Sequence, residues 1–177
     1  MDKKNDVLII GGGLVGASLA CALENLGLRI TVIESIPFEN QLQPSFDERT
    51  IAITWSSRKI FEAIGIWKEI ASTAHPIQKI HVSEKDRPGL IELDCSLINV
   101  EALGYVIPTR SIGKALFNRL QQSFSIQILT PANAKHVHAT VDSVIVNCDE
   151  VTVPLTASLL VVADGGRSLI SSIVGAT

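Results

Sequence analysis

Residues 7–16 read Val-Leu-Ile-Ile-Gly-Gly-Gly-Leu-Val-Gly, a short apolar run that leads directly into a glycine cluster. The run is typical of a buried strand, and apolar residues at helical spacing follow it as far as Gly27. Residues 29–33 predict a second strand, which ends at Glu34. The order strand, glycines, helix, strand and acid is the fingerprint of a dinucleotide-binding βαβ unit.

Each glycine of the cluster has its own physical role in such a unit. Gly11 permits the tight turn out of the strand, Gly13 lets the backbone approach a pyrophosphate, and Gly16 lets the helix pack against the strands. The helix directs its N-terminal N–H groups and positive dipole end at the phosphates. Glu34 can accept hydrogen bonds from ribose hydroxyls and disfavours a 2′-phosphate, so we expect an NAD-like or FAD-like ligand.

Composition and charge exclude several function classes. The chain has 177 residues, of which 46% are hydrophobic, so it can bury one sizeable core. The formal net charge is −3, and no basic run is longer than two residues, so we expect no nucleic-acid partner. Cys21, Cys95 and Cys148 are widely separated, which suits a reducing compartment.

Location and metal binding follow from similar observations. The polar residues 1–6 lead straight into the first strand, and no apolar stretch is long enough to span a bilayer, so we expect a cytoplasmic protein. His136 and His138 fall on one face of a predicted strand. Two ligands without a nearby third do not make a metal site, so no metal is expected.

The rest of the pattern predicts an α/β, Rossmann-like fold with a parallel central sheet. A buried parallel strand is predicted at residues 158–162, because the run is almost wholly apolar. The other predicted elements are helices at 56–64 and 110–120, a strand at 105–108, hairpin strands at 80–83 and 90–93, and a small antiparallel meander at 126–129, 137–139, 144–147 and 151–153.

Three separated motifs carry a resemblance to a known family. They are Gly11–Gly16 with Glu34, then Ser45–Ile53, which reads Ser-Phe-Asp-Glu-Arg-Thr-Ile-Ala-Ile, and finally Asp164–Ser168, which reads Asp-Gly-Gly-Arg-Ser. Together they resemble the FAD-dependent aromatic-ring hydroxylases, which are flavoprotein monooxygenases, and among these the ubiquinone-biosynthesis hydroxylases that act on polyprenyl phenols. The resemblance spans almost the whole chain.

The resemblance implies a role for each motif. The glycine cluster and Glu34 would hold the ADP half of FAD, Arg49 would contact the flavin side, and Arg110 would face the pyrophosphate. Asp164 and Gly165 would touch FAD and the nicotinamide donor. The alternative for Arg49 and for Arg110 is a surface ion pair.

The resemblance also implies an organisation and an activity. Residues 1–75 and 104–177 would form an FAD-binding domain that is incomplete at its C-terminus, and residues 76–103 would belong to a substrate domain. The full-length enzyme would use FAD, NADH or NADPH, O₂ and a polyprenyl phenol, with peripheral contact to the inner face of the membrane or to a biosynthetic complex. The family's second Gly-Asp motif would follow Thr177, so we expect this chain alone to be inactive.

Two other functions remain open on the sequence. The glycines and Glu34 alone would also permit an NAD-dependent dehydrogenase. A non-catalytic FAD-binding module is the third possibility. The Asp47-Glu48-Arg49 loop and Asp164-Gly165 favour the flavin hydroxylase over the dehydrogenase.

Overall fold

A computed structural model of the protein describes residues 4–38, 45, 47–85, 88–165 and 170. Within these residues no helix is both long and apolar enough to cross a membrane. The α-helices are α1 (Leu14–Leu23), α2 (Trp55–Ala63), α3 (Trp67–Ile70) and α4 (Thr109–Gln121). The strands are β1 (Asn5–Ile10), β2 (Ile30–Ile33), β3 (Thr50–Thr54), β4 (His75–Ile77), β5 (Lys79–Ser83), β6 (Leu90–Asp94), β7 (Gly104–Pro108), β8 (Ile126–Leu129), β9 (Ala134–Ala139), β10 (Val144–Cys148) and β11 (Leu155–Val162).

The central sheet is mixed, with strand order β8-β2-β1-β11-β10-β9. β8, β2, β1 and β11 run parallel, while β10 and β9 extend the sheet as antiparallel strands. The predicted βαβ unit is confirmed, since β1 and β2 pair in parallel with Val7 opposite Ile30. Four parallel strands therefore end at one edge of the sheet, where ligands bind in open α/β folds.

Three details of the predicted strands are wrong. Residues 126–129 pair in parallel with β2 and so do not belong to an antiparallel meander. Residues 151–153 form no strand, because they turn the chain from β10 into β11 and precede Pro154, which has no N–H to donate. The last strand begins at Leu155, and its Leu159 is 54% exposed, so this strand is not buried on both faces.

The two faces of the central sheet carry separate apolar cores. Side chains alternate between the faces of a strand, so Val7 and Ile9 point to one core while Leu8 and Ile10 point to the other. The first core is completed by the buried faces of α1 and α4, and the second by residues of β10 and β11. β1 is thus enclosed on both sides, which holds its carboxyl end in a fixed position.

Two smaller antiparallel sheets lie outside the central one. β7 pairs with β3 and β4, so the predicted strand at 105–108 is present in a three-stranded sheet. β5 and β6 form the predicted hairpin. One face of the hairpin carries an ion pair from Lys79 to Asp94 (3.0 Å) and a contact from His81 Nε2 to Oε2 of Glu92 (3.1 Å). The other face is apolar and exposed, and it consists of Ile80, Val82, Ile91 and Leu93.

The first prediction concerns the enclosed strand. Ile9 is 0% exposed, so we expect Ile9→Ala to lower the free energy of unfolding by about 2–5 kcal/mol, since it leaves a cavity in the core. Leu159→Ala on the neighbouring strand should cost less than about 1 kcal/mol, because that side chain is half exposed. Urea denaturation of the two variants measures the difference, and equal losses would contradict the assignment of the core.

Candidate cofactor site

A cavity of about 530 Å³ opens at the carboxyl ends of β1, β2 and β11. Its volume lies within the range usual for small-molecule and cofactor sites. Six of the eight predicted site residues line it, namely Gly11, Gly13, Glu34, Arg49, Asp164 and Gly165. The structure thus brings together three motifs that are far apart in the sequence.

Two glycines of the cluster are required by close backbone contacts. Gly11 has a φ of +98°, and a Cβ there would overlap the carbonyl oxygen of Ala163 and lie 2.8 Å from Cα of Asp164. Gly16 lies in the first turn of α1, and a Cβ there would overlap the carbonyl oxygen of Gly11. Gly16 does not line the cavity; it lets α1 approach the turn that does.

Gly13 differs from these two because its missing side chain leaves open space. Its φ of −66° is ordinary for any residue, and the only described atom within 4 Å of a Cβ there would be Oγ of Ser45, at 3.7 Å. Among the described residues no side chain caps the N-terminus of α1, and the first turn carries no acidic residue. This open backbone beside uncapped N–H groups fits a phosphate group of a dinucleotide.

Glu34 ties the glycine cluster to the end of β2. The residue is 7% exposed, its Oε2 accepts a hydrogen bond from the N–H of Gly12 at 2.6 Å, and its Oε1 accepts one from the N–H of Ile36 at 2.8 Å. The sequence analysis did not foresee this structural role. A carboxylate has further lone pairs, so the predicted ribose contact stays a prediction.

The two predicted arginines both form ion pairs. Arg49 lines the cavity, but its Nε contacts Oδ2 of Asp47 at 2.6 Å and its side chain is 76% exposed. Arg110 is not among the residues that line the cavity, and its Nη1 contacts Oε1 of Glu48 at 2.5 Å. The ion-pair alternative is therefore present in the structure, and the contacts of both arginines with FAD stay predictions.

The carboxylate beside Arg49 is held in its charged form. The pKa of Asp47 lies below its usual value, chiefly because its side chain accepts a hydrogen bond from the backbone N–H of Arg49 and also because it accepts one from the Arg49 side chain. The hydrogen bonds from Arg49 thus favour the ionised form of Asp47. The Asp47–Arg49 pair fixes the backbone at the mouth of the cavity.

Asp164 and Gly165 close the β11 side of the cavity. The backbone here is anchored by the N–H of Ala163, which donates to the carbonyl of Ile10 at 2.7 Å. Gly165 has a φ of +86°, so the chain turns sharply just after the strand. The remaining residues of this motif, 166–168, and Phe46 of the second motif lie outside the described residues.

Ser45 is a residue of the site that the sequence analysis placed only within a motif. It is 5% exposed, lines the cavity and faces Gly13. A signal for a close contact at this helix exists in the sequence, because Gly113 interrupts an otherwise regular helical pattern at a cost in helix stability, which points to a packing reason.

Comparison with known families agrees with this geometry. The family model described as "FAD binding domain" matches residues 4–177. The chain belongs to this FAD-binding family. FAD is accordingly the cofactor that fits the cavity, and the NAD-like alternative is disfavoured.

Relatives of this FAD-binding chain are longer than the chain itself. It is 32% identical to ubiquinone hydroxylase UbiL of Rhodospirillum rubrum over 98% of its own length and 40% of the relative's. It is 27% identical to 3-demethoxyubiquinol 3-hydroxylase of Escherichia coli over 98% of its length and 44% of the relative's. The chain thus spans about two fifths of the length of these relatives.

The fold recurs in solved structures. The p-nitrophenol 4-monooxygenase PnpA of Pseudomonas putida superposes with a TM-score of 0.80 at 18% sequence identity, over 99% of this chain and 44% of that one. At this identity the likeness concerns the fold alone. It supports the α/β assignment.

The second prediction tests the role of Glu34. We expect Glu34→Gln to lower the free energy of unfolding of the cofactor-free chain by about 1–3 kcal/mol, because the amide offers only one oxygen to two backbone N–H groups. Glu62→Gln, at a carboxylate that is 56% exposed in its ion pair with Arg58, should cost less than about 1 kcal/mol. Thermal and urea denaturation distinguish the variants. An unchanged free energy of unfolding in Glu34→Gln would contradict the structural role of the two hydrogen bonds to Glu34.

Proposed function

We propose that this FAD-binding domain serves an FAD- and NAD(P)H-dependent monooxygenase that hydroxylates the aromatic ring of a polyprenyl phenol in ubiquinone biosynthesis. The observation that carries the cofactor part is the cavity at the sheet edge, where open backbone at Gly13 lies beside the uncapped N-terminus of α1. The substrate class rests on the relatives, two of which are named for hydroxylation in this pathway.

Each lining residue receives a proposed task toward FAD. The backbone at Gly13 and the first N–H groups of α1 hold the pyrophosphate, and Glu34 accepts hydrogen bonds from the ribose of the adenosine half. Arg49 contacts the flavin side, while Asp164 and Gly165 border the cofactor next to β11. Arg110 reaches the pyrophosphate once it releases Glu48, since a guanidinium group pairs with phosphate oxygens in the same forked geometry as with a carboxylate.

The protein's part in the proposed reaction is binding, orientation and exclusion of water. When bound and reduced by the nicotinamide donor, FAD would supply the O₂-activating chemistry that hydroxylates the ring. Leu14, Val15 and Ile51 contribute apolar walls to the cavity. Such walls keep water from the bound cofactor and strengthen the polar contacts made to it.

We also propose that the chain divides between two domains. Residues 1–75 and 104–177 would form the FAD-binding domain, and residues 76–103 would belong to the substrate domain. The separate sheet of β5 and β6, with its exposed apolar face, supports this division, because a two-stranded sheet is marginally stable unless it packs against something. A cytoplasmic location with contact to the inner face of the membrane is proposed from the substrate class.

The third prediction tests cofactor binding directly. The chain, incubated with FAD and desalted, should retain the visible absorption bands of flavin, and excess NAD should not displace them. Gly13→Val should weaken FAD binding about tenfold or more, a loss of about 1.4 kcal/mol or more, because the side chain fills the space reserved for a phosphate. Its backbone conformation tolerates the change, so the melting temperature without FAD should stay the same.

Gly27→Ala is the matched control. A Cβ at Gly27 meets no described atom within 4 Å, but its φ of +71° strains any other residue, so this variant should melt earlier and still bind FAD. Displacement of FAD by NAD would favour the dehydrogenase instead. FAD binding followed by NAD(P)H oxidation that a phenol stimulates would exclude a non-catalytic module.

A further inference from the structure

Gly113 occupies a position in α4 where glycine is unfavourable. It is the fifth residue of a 13-residue helix and is buried, and glycine in a helix interior is less favourable than alanine. A Cβ at Gly113 would overlap the carbonyl oxygen of Ser45, and it would lie 2.9 Å from the carbonyl carbon and 3.0 Å from Cβ of that residue. The missing side chain thus makes room for the backbone of Ser45.

This contact continues a regular attachment of the chain to the start of α4. The carbonyl of Arg49 accepts a hydrogen bond from the N–H of Thr109 at 2.8 Å, and the carbonyl of Asp47 accepts one from the N–H of Arg110 at 3.1 Å. The close approach of the Ser45 backbone to Gly113 is a third contact between this segment and α4. The Gly113 contact therefore fixes how deeply Ser45 sits beside the cavity.

The seated Ser45 lies where a phosphate group would be bound. It is buried, it lines the cavity, and its Oγ faces the open side of Gly13. A serine hydroxyl can donate one hydrogen bond, and a bond to a charged phosphate oxygen is stronger than one to a neutral acceptor.

We propose that Ser45 is a further cofactor-binding residue, which donates its hydroxyl to the pyrophosphate of FAD, and that Gly113 is the positioning residue that seats it. This inference rests on the proposed function. It adds a second residue of the Ser45–Ile53 motif to the site, beside Arg49.

The fourth prediction compares FAD dissociation constants of the full chain, measured by flavin fluorescence. Ser45→Ala should raise the dissociation constant about tenfold, because a hydrogen bond to a charged group is lost. Gly113→Ala should raise it at least as much, because the methyl group displaces Ser45. Lys114→Gly is the matched control: Lys114 is exposed on the same helix, so this variant should melt earlier and bind FAD normally.

A second measurement tests, without FAD, whether Gly113 keeps residue 45 in its buried position. A Ser45→Cys thiol should react slowly with a thiol reagent, because position 45 is buried, and about tenfold faster when Gly113→Ala is added. The background comes from Cys21, Cys95 and Cys148, and it is measured on the parent chain. Burial raises the pKa of Cys21 to about 11, which keeps that thiol unreactive at neutral pH.

The possible results distinguish a failure of the proposed role of Ser45 from a failure of the proposed FAD-binding function. If Ser45→Ala and Gly113→Ala bind FAD as the parent does, the inference is overturned and the proposed cofactor site stands. If the parent chain binds no FAD, the proposed cofactor function fails, and the role of Ser45 fails with it. Equal thiol reactivity in both backgrounds would show that Gly113 does not seat residue 45.

Discussion

The hydrogen bond from the N–H of Gly12 to the carboxylate of Glu34 is the interaction on which the site depends. It joins the turn after β1 to the end of β2, and the same carboxylate also accepts from Ile36. The contact with Gly12 is buried and the residue is only 7% exposed, so this hydrogen bond competes little with water. This hydrogen bond positions the open backbone at the neighbouring Gly13. It thereby positions any phosphate bound there.

Sequence reasoning was most successful where a residue's role is local. The glycine cluster, both strands of the βαβ unit and the hairpin at 79–94 follow from periodicity and turn residues, and the structure contains all of them. It was wrong for residues 126–129, since the partner of a short apolar strand is decided by distant contacts. It was wrong for residues 151–153 as well, because this short run before Pro154 forms the turn between two strands. A short window of sequence can indicate that a segment is a strand, but it cannot give the strand with which that segment pairs.

The same distinction applies to the site. Gly11, Gly13, Glu34 and Asp164 were located from motifs, and they do meet at one cavity. An ion pair of Arg110 was an open alternative, but its partner Glu48 could not be foreseen, because an arginine's partner depends on side-chain directions that no spacing rule supplies. The seat of Ser45 on Gly113 joins residues far apart in the chain, and only the unusual helix glycine hinted at it.

The register of the β5–β6 hairpin has a consequence for assembly. Lys79 lies opposite Asp94 and Ile80 opposite Leu93, so charges occupy one face and apolar side chains the other. A shift of one strand by a single residue would move each of its side chains to the opposite face and separate Lys79 from Asp94. The charged contacts therefore stabilise this register over a shifted one. In this register the apolar side chains of both strands lie on the same face of the hairpin.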